Sequence, residues 1–169
     1  AHNQYDSGWG LPTDVNTNEQ QLSKFSLASD NRLNAVWQSR VIMAQGTDNS
    51  EDFKNGQPAQ YGSVYKTTNQ QLSWQNTFSL DADKQILAGA EYLGQQVSSD
   101  MQPTYVENER KVNSVFAGYT GNYAAHQLQA NVRQDQNSQY GSANTGLLGY
   151  GYALSEAWRA TASYRTAFR

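Results

Sequence analysis

Cysteine is absent from this 169-residue chain. Disulfides, thiolate nucleophiles and thiolate metal sites are therefore excluded, and the absence fits either the cytosol or an outer membrane. Proline occurs only 3 times, and charged residues make up only 16% of the chain. No stretch approaches the ~18 apolar residues that a spanning helix requires, which excludes a helical membrane protein. Basic residues are not clustered either. Twelve Lys and Arg against 15 Asp and Glu leave a net charge of −3, with no basic stripe to neutralise phosphates, so nucleic acid is not an expected partner.

What is present is neutral and polar: Gln, Asn, Ser and Thr, with 11 tyrosines and only 37% hydrophobic residues. Disordered chains pair low hydrophobicity with high net charge and few aromatics, which is not the pattern here. A sheet with one apolar and one wet face fits better, and the length suits a single domain.

Period-two alternation supports that reading most clearly near the C-terminus. Leu148, Tyr150, Tyr152 and Leu154, then Trp158, Ala160, Ala162 and Tyr164, alternate with Gly149, Gly151 and Ala153, then Arg159, Thr161, Ser163 and Arg165. Two antiparallel strands about ten residues long, turning at Ser155-Glu156, account for it. Residues 1–19 mix Gly, Pro, Asn and Asp without period and read as a leading loop. Further hairpins are expected over 20–45, 69–95 and 109–133, and the C-terminal one over 145–168. Their turns are expected at Asp30-Asn31, Asp81-Ala82-Asp83 and Gly121-Asn122. Along the strand from 109 to 120 the facing is ambiguous, because Val115, Ala117 and Tyr119 compete with Val112 and Phe116. Long polar connections are expected over 46–68, 95–108 and 134–144, the first containing the hairpin signal Asn55-Gly56.

The result is an all-β, antiparallel up-and-down meander of about eight strands, in which short turns alternate with long connections. An outer-membrane β-barrel has that rhythm, with strands alternating apolar-out and polar-in and aromatic residues near strand ends. A complete small barrel of structural or adhesive role, a barrel enzyme, and a soluble carbohydrate-binding β-sandwich are the rival architectures. Neither HExxH nor GxSxG occurs, and His2 and His126 stand alone, so no enzyme activity is expected.

Arg40, Arg133, Arg159 and Arg165 fall on the polar faces, where a barrel would direct them into its lumen and pair them with acids such as Glu91. The glycines of Gly146-Leu147-Leu148-Gly149-Tyr150-Gly151 alternate along a strand, which suits close backbone approach or a large neighbour more than phosphate binding. Asp6 and Asp14, with Asp48, Glu51 and Asp52, are hard oxygen donors of the kind calcium takes, although no EF-hand spacing is present.

Several C-terminal motifs resemble TonB-dependent outer-membrane receptors. Arg133-x-Asp135, Ser138-Gln139-Tyr140-Gly141-Ser142, the Gly/Tyr-rich strand, Trp158-Arg159 and Ser163-Tyr164-Arg165-Thr166-Ala167-Phe168-Arg169 carry the likeness. Within that family the hairpins from Gln20 to Gly46 and from Thr68 to Arg169 follow the cobalamin-transporting members in order. The resemblance implies a barrel segment in the bacterial outer membrane, in contact with lipid, from a parent that takes up a nutrient, cobalamin, with TonB as energy-transducing partner. It also implies a mid-barrel piece without the plug or TonB box, not transport-competent alone, whose strand edges would close on each other or pair in a dimer. Asp6 and Asp14 are the only positions to which the family's calcium binding carries over.

Overall fold

Every alternating segment folds as a strand. The computed structural model describes residues 1–5, 11, 13–59, 63–100 and 108–167, and no helix occurs among them. The strands are β1 His2–Tyr5, β2 Asn16–Arg32, β3 Trp37–Lys54, β4 Gln57–Pro58, β5 Val64–Ser79, β6 Lys84–Ser99, β7 Glu109–Tyr123, β8 His126–Asn137, β9 Gly141–Ala153 and β10 Arg159–Arg165. They form one antiparallel meander in the order β1-β2-β3-β5-β6-β7-β8-β9-β10, with β4 paired to β3. Eight are long, as the alternation predicts, and β1 and β4 are short additions. Contacts group the residues into two compact units: 1–26, 44–70 and 94–110 form the first, and 27–43, 71–93 and 111–169 the second.

The first unit corrects two expectations. Residues 1–19 are not simply a loop, because His2–Tyr5 pairs antiparallel with Asn16–Glu19. The long connections are also shorter than expected, since β3 continues to Lys54, β5 starts at Val64 and β6 continues to Ser99. These extensions are mostly polar, with Phe53, Val64, Tyr65 and Val97 as exceptions, so backbone pairing persists after the apolar alternation has ended. Asn55 and Gly56 both take positive φ, 53° and 74°, and turn the chain between the paired residues Lys54 and Gln57. That is the two-residue geometry an Asn-Gly pair favours.

In the second unit the turns sit where local chemistry satisfies them. The turn expected at Asp30-Asn31 lies instead at 33–36, because Asn34 Oδ1 accepts the amides of Val36 and Trp37, both at 2.9 Å. The turn expected at Gly121-Asn122 falls at Ala124-Ala125, with Ala124 at φ 52°. Gly121 is needed within β7, since a Cβ there would meet the Tyr119 hydroxyl at 2.5 Å. The expected 134–144 connection reduces to the turn 138–140, because β8 and β9 pair through Asn137↔Gly141. At Asp81-Ala82-Asp83 the turn is as read, its first carboxylate accepting the Asp83 amide at 2.9 Å.

Burial in this unit is inverted relative to a soluble sheet. Along β8, Val132, Gln134 and Gln136 are exposed while Asn131, Arg133 and Asp135 are half-buried. On β7 Ser114 is buried and Phe116 half-buried, whereas Val115 and Ala117 face outward. Along β9, Leu148, Tyr150 and Tyr152 are exposed, and Gly149 and Gly151 are sheltered. Register resolves the ambiguous β7: Ala117↔Val132 and Tyr119↔Ala130 put those residues on the apolar face, and Phe116↔Arg133 puts Phe116 on the polar one. Among the described residues no apolar side chain is buried, and the buried polar ones are Asn16, Ser63, Asn76 and Ser114.

Candidate functional site

Residues two apart on a strand share a face, so Arg133 and Asp135 point the same way from β8. Opposite them on β7 stand Phe116 and Ser114. Arg133 Nη1 donates to Glu91 Oε2 at 2.8 Å and Arg133 Nε to Asp135 Oδ1 at 2.9 Å. The Ser114 hydroxyl also donates to Asp135 Oδ1. Below the guanidinium lies the Phe116 ring, its centroid 5.8 Å from Arg133 Cζ. Room for that ring comes from Gly89 on β6, where a Cβ would lie 2.5 Å from Phe116 Cζ.

One arginine is thus forked between two carboxylates over an aromatic floor, leaving the cluster one negative charge. All three charged side chains are about a third exposed, so the pairs contribute less than buried ones would. A double-mutant cycle of Arg133→Met with Glu91→Gln is expected to give a coupling of about 0.2–1 kcal/mol. Urea unfolding of the intact protein at low and at ~1 M salt measures it, and the coupling should shrink as the screening length falls to ~3 Å.

The other predicted residues do not join this cluster. Arg40 pairs with Asp30 at 3.3 Å, with both side chains more than half exposed. Arg159 donates to Gln127 Oε1 at 3.4 Å, a long contact. Arg165 stands opposite Leu147 in the β9–β10 register. The residue types did not reveal Ser114, Phe116 or Gly89 as cluster members. For Asp135 the Arg-x-Asp spacing on a strand was a usable signal.

In the first unit Asp14 closes a latch. Its Oδ2 accepts from Lys54 Nζ at 2.8 Å and from the Leu11 amide at 2.8 Å, and its Oδ1 accepts from Asn55 Nδ2 at 3.0 Å. Asn55 Oδ1 in turn accepts the Val15 amide at 2.8 Å. Both carboxylate oxygens are therefore engaged by donors of the chain itself. Asp6 lies outside the described residues. Asp48 accepts from Gln20 and Asp52 from Asn18. Among the described residues no group of three or more His, Asp or Glu gathers as a metal site.

The hydrogen bond from Lys54, followed by those from Asn55 and Leu11, holds the Asp14 carboxyl at about 2. A folded value below the ordinary one means that the latch is fully stabilising above pH 3.8 and is lost as pH falls from 3.8 through about 2. Lys54→Met should move the Asp14 midpoint up towards the ordinary carboxylate range. Carboxyl-carbon NMR titration reads the midpoint, and an unchanged midpoint would contradict the latch.

The chain is similar to the vitamin B12 transporter BtuB of Photobacterium profundum. Identity is 26% over 166 residues, which is 98% of this chain and 26% of that protein. The chain therefore spans about a quarter of the length of the curated relative it matches. No family model matches the chain. That relative is a transporter by name, and the fold here is all-β. No helix among the described residues is long and apolar enough to cross a membrane, which leaves crossing by strands open.

Proposed function

We propose that the chain forms wall and external-loop structure of a TonB-dependent outer-membrane receptor for a nutrient, cobalamin, with its apolar face against lipid and its polar face along the lumen. The inverted burial of β7, β8 and β9 carries this reading. Leu148 and Val132 are 61% and 62% exposed while Ser114 on the opposite face is 4% exposed. Water penalises such an arrangement at ~25 cal/mol per Å2 of apolar surface, whereas hydrocarbon does not. A carbohydrate-binding sandwich would need the apolar face closed between two sheets, and no apolar side chain among the described residues is buried. Strand length supports the same reading, since β3 has 18 residues and a tilted strand crosses hydrocarbon in about 9–11. The polar continuations would then stand outside the bilayer. On the polar face, Arg133 with Glu91 and Asp135 would line the lumen, as would Arg40, Arg159 and Arg165.

The likeness to BtuB supports the nutrient class, and TonB would act on the parent protein as a whole. Equilibrium binding of cyanocobalamin to the intact protein in detergent, with and without calcium, tests the reading. Saturable binding is expected. Binding of an iron–siderophore complex instead would remove cobalamin and leave the receptor. An intact protein that fractionates away from outer membranes would remove both.

A further inference from the structure

The apolar face of the second unit is not uniform. Between Leu72 and Trp74 on β5 and Val115 on β7 lies Ala90, whose single methyl leaves a groove of about 460 Å3 that Glu91 and Tyr92 border along β6 and Ser114 along β7. Trp74 does not fill it, because its indole leans towards β3, where Nε1 donates to Ser39 Oγ at 3.1 Å. The slot is thus one small residue wide, with strand spacings of ~4.8 Å on either side. That width admits an extended alkyl chain and is too narrow for a helix of ~10 Å diameter.

Chemistry changes along the groove. Its opposite end is lined by Asn113, Gln134, Gln136 and Ser142. Register places these four side by side, through Asn113↔Gln136 and Gln136↔Ser142, with Val115↔Gln134 one step further in. All four are exposed, neutral hydrogen-bonding groups. The end they form lies towards the 138–140 turn, away from the tight turn at Ala124-Ala125. An occupant complementary to both parts is apolar along its length and carries a neutral carbonyl linkage at one end.

We propose that this groove is a specific seat for one acyl chain of a membrane lipid, with the chain over Ala90 and its ester or amide carbonyl at the Asn113–Gln134–Gln136–Ser142 cluster. The proposal rests on the lipid-facing reading above and adds to it a fixed site within an otherwise fluid boundary. The neutral cluster selects the acyl linkage rather than a phosphate, which would call for guanidinium or ammonium partners.

Photocrosslinking in native membranes tests the site and the lipid-facing reading separately. p-Benzoylphenylalanine is placed in the intact protein at position 74, beside the groove, or at position 148, on the same face away from it, and lipid adducts are weighed by mass spectrometry. Lipid adducts are expected at both positions. Ala90→Leu, which fills the slot, should lower the adduct at 74 roughly tenfold and leave that at 148 unchanged. Ala90→Val serves the same purpose if the leucine variant does not assemble. An adduct at 148 with none at 74, or one at 74 that Ala90→Leu and Ala90→Val leave intact, overturns the groove alone. Absence of lipid adducts at both positions overturns the lipid-facing reading together with it.

Discussion

Replacing Leu148 by arginine is expected to cost about 2–4 kcal/mol of folding stability in a phospholipid bilayer, while Gln129→Arg costs close to zero. The two positions are neighbours in space on opposite faces: Leu148 pairs with Ala130, and Gln129 with Gly149. A guanidinium at 148 would enter hydrocarbon, where its solvation is lost. At 129 it would join Gln127 and Arg159 on the polar side. Urea unfolding of the intact protein from phospholipid vesicles measures both. The asymmetry is diagnostic, because in a soluble protein that exposed both faces to water the two substitutions would be equally mild. Equal small effects at 148 and 129 would sink the membrane reading, and equal large ones would show that neither face is wet.

Gly89→Ala should destabilise by about 1–3 kcal/mol, although an alanine normally suits a strand better than glycine does by roughly 0.5–1 kcal/mol. The added Cβ would lie 2.5 Å from Phe116 Cζ and 2.5 Å from the Trp74 carbonyl oxygen. A ring can move aside, whereas a carbonyl within the sheet cannot shift without disturbing its ladder. Phe116→Ala in the Gly89→Ala background should accordingly recover only part of the loss, and it would also remove the aromatic floor under Arg133. Gly149 is the control, since a Cβ there meets nothing closer than Gln129 Cβ at 3.5 Å. Gly149→Ala should be neutral or slightly stabilising. Similar unfolding midpoints for the Gly89 and Gly149 variants would contradict the close approach.

Facing was legible wherever one side of a strand is apolar. Leu148, Tyr150 and Tyr152 against Gly149 and Gly151 needed no partner to interpret, and the same holds for Leu72, Trp74 and Phe78. Arg133 and Glu91 were readable as polar-face residues for that reason, though not as a 2.8 Å pair. Turn positions were less legible. Glycine and Asn-Gly signals mark positive φ or close approach without distinguishing them: Asn55-Gly56 turns the chain, whereas Gly121 makes room for tyrosines and leaves the turn to Ala124.

From the sequence alone came an antiparallel all-β chain with one apolar and one polar face, because period two is a covalent property of an extended backbone. Only the tertiary structure decided how far the strands run, since β3 continues to Lys54 and β8 to Asn137 through mostly polar residues. It also decided which residues meet across strands. Phe116 reaches Arg133, Ser114 reaches Asp135, and Lys54 reaches Asp14, through inter-strand register and chain reversal. Neither register nor reversal is encoded in the spacing of residues along a single strand, so neither could be read before the partner strands were in place.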